Sequence, residues 1–207
     1  MRSAGLFSMS VSRVFLGALA AVITACSSPP PPQASVPAPP AAPAAAPASP
    51  AQSPVERGAY LVGILGCHDC HSPKVFTDAG PVPDQSRLLS GNPADQLAPA
   101  MPAGLPDPNG WVALTTGHFT AWAGAWGVSY ASNLTPDPSG LGNWTEEQFI
   151  QTIRTGKHLG VGRPILPPMP WPDFAKMTDE DLRAVFAYLR TVPPIANAVP
   201  QPQPPQG

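Results

Sequence analysis

The sequence predicts a mostly α-helical domain: three or more short helices, interrupted by an inserted segment of loop and short strands. Three observations predict it. Two capping boxes sit at Ser53–Glu56 and Thr145–Gln148. A third helix start at Thr178 leads an apolar stripe. A single C-x-x-C-H pentapeptide, Cys67-His68-Asp69-Cys70-His71, follows the first helix directly.

In Ser53-Pro54-Val55-Glu56, Ser53 caps, Pro54 suits the first helical position, and Glu56 reaches back to close the box. The helix runs through Tyr60, Leu61 and Ile64 to Gly66, and Gly58 permits close backbone approach. In the second box, Thr145-Glu146-Glu147-Gln148, Trp144 and Phe149 are spaced as a hydrophobic staple. Phe149, Ile150 and Ile153 form the apolar face and Gly156 stops the helix. The third helix has Asp179, Glu180 and Asp181 in its first turn, where acids complement the dipole. Leu182, Val185, Phe186 and Leu189 form its stripe, and Pro193-Pro194 ends it.

The ends of the chain have a different composition. Residues 1–25 read as an export signal, a basic start with Arg2 and Arg13 followed by the apolar run Val14–Ile23. Ten residues are too few to span a bilayer, which takes about 20. Translation from Met9 would leave a shorter signal of the same kind. Ile23-Thr24-Ala25-Cys26 resembles a lipobox, which makes Cys26 the lipidated first residue of the mature chain. An odd exported cysteine otherwise calls for a partner. Residues 26–53 are almost all Pro, Ala, Ser and Gln, a composition that cannot bury a core and forms an extended tether. The folded domain spans 54–195, and the Pro-rich tail at 196–207 reads as a frayed end. Formal net charge is −2, and loss of Arg2 and Arg13 leaves nine basic against thirteen acidic residues. That disfavours nucleic acid as a partner, because a basic face is its expected footprint.

The C-x-x-C-H spacing attaches one haem c covalently: Cys67 and Cys70 add to the vinyl groups and His71 reaches the iron. A structural zinc site needs four ligands, usually from paired motifs, and there is no second C-x-x-C. A thioredoxin-like motif needs a βαβ setting, whereas the pattern before Cys67 is helical.

Arg57–Val62, Gly66–Pro73, Pro167-Pro168-Met169-Pro170-Trp171 and Asp181–Leu189 resemble class I c-type cytochromes. The resemblance implies that fold, with first and last helices crossing at a glycine against an aromatic: Gly58 against Phe186 or Tyr188. It also implies a methionine as second axial ligand. Met1 and Met9 lie in the signal, Met177 staples onto Leu182, and Met101 sits in a Pro/Gly loop, which leaves Met169 between stiffening prolines. His158, after the second helix, is the rival ligand. His68 and His118 read as non-ligands, while Arg163 and Trp171 are candidate donors to haem propionates.

Met169 follows His71 by 98 residues, further than a minimal domain of this class needs. The insertion, about 75–131, holds loop sequence from Leu88 to Gly110 and candidate strands at 111–114 and 127–132. It either packs over a haem edge or docks a partner, with Trp122 and Trp126 as core fillers. Asn133-Leu134-Thr135 matches a glycosylation sequon but reads as a turn. The expected function is electron transfer by a monohaem cytochrome c, anchored by lipid to the periplasmic side of a bacterial membrane. Its redox partners would be a dehydrogenase, an oxidase or another cytochrome. A haem c subunit of a dehydrogenase or oxidase complex is the alternative, and a five-coordinate haem enzyme or sensor a further one.

Overall fold

The structure, a computed structural model, describes residues 52–107 and 109–205. The signal at 1–25, Cys26 and nearly all of the tether lie outside the described residues. Among the described residues, no helix is long and apolar enough to cross a membrane.

Both capping boxes close as their sequences predict. The Ser53 hydroxyl accepts the Glu56 amide at 3.2 Å, and Glu56 accepts the Ser53 amide at 2.8 Å, starting α1 (Pro54–Ile64). Gly66, with φ of 67°, then reverses the chain into α2 (Cys67–His71). Thr145 and Gln148 start α3 (Glu146–Thr155), and Gly156 stops it. A one-turn α4 (Trp171–Phe174) precedes α5 (Asp179–Leu189), which Thr178 caps.

α1 and α5 pack closely because Gly58 has no side chain. A Cβ there would stand 1.9 Å from the Ala184 carbonyl oxygen and 2.7 Å from Tyr188 Cβ. Tyr188 is thus the aromatic partner, while Phe186 turns to Phe149 of α3, ring centroids 5.3 Å apart. Leu61, Val62, Ile153, Leu182, Val185 and Leu189 fill the core between these helices. Burial of each such side chain is worth about 1.5–3 kcal/mol, the largest favourable contribution available to so small a domain.

The insertion contains more sheet than its sequence pattern suggests. β1 (Lys74–Thr77) and β2 (Gly80–Pro83) form an unexpected hairpin immediately after α2. β3 (Ala113–Thr115), β4 (Ala121–Gly124) and β5 (Gly127–Tyr130) form an antiparallel meander. The candidate strands at 111–114 and 127–132 overlap β3 and β5, but β4, which carries Trp122, occupies the stretch expected to connect them. Strands of three or four residues are too short for alternation to show, and Pro81 and Pro83 disguise β2. The tryptophans are not core fillers: Trp122 and Trp126 are half-buried, and Trp111 is exposed. The small core here is instead Ala121, Ala123, Val128 and Tyr130.

The C-terminal segment does not fray over 196–205. Asn197 Nδ2 donates to the carbonyls of Ser90 (2.6 Å) and Asn92 (2.8 Å). Gln203 and Val128 exchange N–H···O bonds, both 2.9 Å. An extended Pro-rich segment has no internal hydrogen bonds, so its free backbone groups can pair with an edge strand, here β5. The folded unit therefore continues past 195.

Candidate haem site

α2 is one turn long, so its first and fourth residues, Cys67 and Cys70, share a face. Both line a cavity of about 650 Å³ together with His71. Leu65, Ile153, Leu182 and Val185 supply much of its apolar wall. In their free form, before haem is joined to them, burial pushes the Cys67 thiol up to about 11 and raises Cys70 as well.

His71 is held at two points by the insertion and its C-terminal flank. Its Nδ1–H donates to the Ser132 carbonyl at 2.7 Å, which leaves the Nε2 lone pair free for a metal. Its own carbonyl accepts the Gly91 amide at 2.8 Å. Burial pushes the imidazole below its usual range, against the opposing effect of the Ser132 bond.

Met169 lines the same cavity and packs against the helical core. The loop that carries it is tied to β5, whose Ser129 hydroxyl donates to the Pro167 carbonyl at 2.5 Å. His158 and Met177 also line the cavity. His158 stands edge-on to Trp144, centroids 5.1 Å apart, and Met177 packs into the helical core beside the Thr178 cap. Arg163 reaches the rim, but Trp171 does not line the cavity; its indole lies over Gly156. His118 accepts the Lys74 amide outside the cavity, and Met101 packs against the β3–β5 sheet. Asn133 of the sequon is 3% exposed, its amide donating to the Ile195 carbonyl and its Oδ1 accepting from Thr135. It is a structural tie between the insertion's end and the tail.

Sequence reasoning missed the supporting residues: Gly91, Ser129 and Asn197. A Ser-Gly-Asn turn at 90–92 was the one visible sign of the first. Among the described residues, no three His, Cys, Asp or Glu side chains converge to hold a metal ion, so a zinc site has no ligand set there. The cavity size falls in the range of cofactor sites, and two thiols, one free imidazole nitrogen and a thioether converge on it, a donor set that fits haem.

The family model for cytochrome c matches residues 55–193. The chain belongs to the cytochrome c family. This cytochrome c carries covalently bound haem c. It is similar to the cytochrome c subunit of alcohol dehydrogenase (quinone) from Gluconobacter oxydans, 42% identical over 72 residues, 34% of this chain and 15% of that protein. It is also similar to the gluconate 2-dehydrogenase cytochrome c subunit of Pantoea cypripedii, 36% identical over 74 residues, 35% of this chain and 17% of that protein. The fructose dehydrogenase cytochrome subunit of Gluconobacter japonicus is 37% identical over 79 residues, 37% of this chain and 16% of that protein. The matched stretch of this cytochrome thus spans less than one-fifth of each of these relatives.

Proposed function

We propose that the protein is a monohaem class I cytochrome c, exported and lipid-anchored through Cys26, that passes single electrons between redox partners, one of them a dehydrogenase. The observation that carries this reading is convergence: Cys67, Cys70, His71 and Met169 line one cavity, with the His71 ring oriented by Ser132. When bound, the haem supplies an iron that alternates between ferric and ferrous. Cys67 and Cys70 would hold the macrocycle through thioethers, and His71 Nε2 and Met169 would be the protein's ligands to its iron. A soft thioether favours the ferrous form and raises the potential. The apolar wall of Leu65, Ile153 and Leu182 acts in the same direction by disfavouring extra charge.

A dehydrogenase partner is supported by the similar proteins, which are cytochrome subunits of dehydrogenases. His158 is the rival for the second axial position, because it lines the same cavity.

Optical spectra of the ferric protein test the ligand set. The methionine–iron charge-transfer band should be present in the wild type and absent from Met169→Ala. A band that survives the substitution would refute Met169 as ligand. Absence of that band from the wild type, with a spectrum that changes only in His158→Ala, would assign the position to His158. Radiolabelled lipid on the wild type but not on Cys26→Ser tests the anchor.

A further inference from the structure

Lys74, the first residue of β1, lies three positions beyond His71 and is only 6% exposed. Lysines are almost never this buried unless the charge is answered. Among the described residues it forms no ion pair. Its ammonium is instead met by three carbonyls of one short segment: Ser72 at 2.7 Å, His68 at 2.8 Å and Asp69 at 2.9 Å.

These three carbonyls are ones a one-turn helix cannot satisfy itself. α2 ends at His71, and the last carbonyls of any helix lack partners within it. A cation is favoured at that end, and here its three donors match three acceptors. Three net hydrogen bonds to a charged group offset a large part of the desolvation of the ammonium.

We infer that Lys74 is a positioning residue for the haem: it clamps the turn carrying Cys67, Cys70 and His71, and its buried charge favours the ferrous state. The sign follows from electrostatics. An electron arriving near a fixed positive charge in a low-dielectric interior is stabilised, so the midpoint potential rises. The inference rests on haem attachment at Cys67 and Cys70 and is independent of which residue is the second axial ligand.

The test uses the full-length, haem-bearing protein and its Lys74→Gln, Lys74→Met and Lys74→Arg variants. Haem staining after denaturing electrophoresis reports covalent attachment, and absence of stain from the wild type would refute the haem reading itself. Spectroelectrochemical titration then reads the potential. The two neutral variants should shift the equilibrium about tenfold toward ferric iron, about 59 mV downward, while Lys74→Arg stays nearer the wild type. A merely structural lysine would not separate charged from neutral variants. A folded, haem-bearing neutral variant with the wild-type potential overturns the inference. Where neither neutral variant retains haem, amine acetylation of the wild type decides. Protection of Lys74 relative to the exposed Lys157 and Lys176 supports the buried clamp, and equal labelling overturns it.

Discussion

Gly91 offers the most direct way to disturb His71 without touching a ligand. Its φ is +78°, and a non-glycine residue in the left-handed region costs roughly 1–2 kcal/mol. A Cβ at this position would stand 2.5 Å from the Ala131 oxygen, 2.6 Å from the Ser132 carbonyl carbon and 2.7 Å from the Asn133 nitrogen. All three are backbone atoms, so no side chain can swing aside; relief requires the 131–133 segment to retreat by roughly 1 Å. Overpacking of this kind typically adds about 1–3 kcal/mol. Gly91→Ala should therefore destabilise the protein by about 2–5 kcal/mol, or roughly 4–20 °C in Tm for a domain of this size. The same segment supplies the Ser132 carbonyl that accepts from His71 Nδ1. Weakening that bond makes the imidazole a poorer donor to iron, which disfavours the ferric form and raises the potential. Thermal unfolding followed by haem absorbance, with a redox titration of the folded variant, measures both effects. A Gly91→Ala protein with wild-type Tm and wild-type potential would falsify the two-point hold on His71.

Gly58→Ala gains about 1 kcal/mol of helix propensity but meets the Ala184 carbonyl oxygen at 1.9 Å, so the clash wins and Tm should fall; a rise in Tm would contradict the α1–α5 crossing. Asn197→Ala removes donors to the Ser90 and Asn92 carbonyls and the acceptor of the Ala94 amide, and should cost about 2–4 kcal/mol in chemical denaturation. Proteolysis of the tail should accelerate in parallel, and an unchanged denaturation midpoint would argue against a packed tail. The Asp181 carboxyl is held below its usual range by its hydrogen bond to Arg57. Its folded pKa lies below its unfolded one, so the stabilisation is complete above about pH 4 and is lost as pH falls through the lowered value. Asp181→Asn should thus be less stable than wild type at pH 7, with the difference closing in acid; a difference independent of pH would mean that packing, not charge, is responsible.

How much of this was legible in the sequence depended on the range of the interaction. Helix starts were legible because a capping box is a contact between residues three apart, and Ser53–Glu56 and Thr145–Gln148 contain both partners. The attachment turn was legible for the same reason. The partner of Gly58 was narrowed to two aromatics, but which of them meets it depends on how α5 is rotated, and Phe149 settles that by drawing Phe186 away. The tail shows the limit of composition: Pro and Ala suggest an end with nothing to bury, yet Asn197 and Gln203 pair with residues more than 70 positions earlier. Ser129 and Lys74 were invisible, and Gly91 showed only as a turn, because each acts on backbone groups and no local pattern marks a backbone partner.

The long separation of His71 from Met169 has a physical account. Loop closure grows only logarithmically, about 0.6 kcal/mol for each doubling of length, so some 50 added residues between two fixed points cost little. Against this, the added segment makes specific bonds on both sides of the cavity. Toward the attachment turn, the Asp84 amide donates to the Pro73 carbonyl at 2.8 Å, the Leu89 amide to the Ser72 hydroxyl at 2.9 Å and the Gly91 amide to the His71 carbonyl at 2.8 Å. Toward the methionine loop, the Ser129 hydroxyl donates to the Pro167 carbonyl. At about 0.5–1.5 kcal/mol net for each bond, these four together exceed the closure cost. Trp122, Ser129 and Tyr130 also form part of the cavity wall itself. The insertion therefore acts as a brace that reaches both loops bearing the proposed ligands.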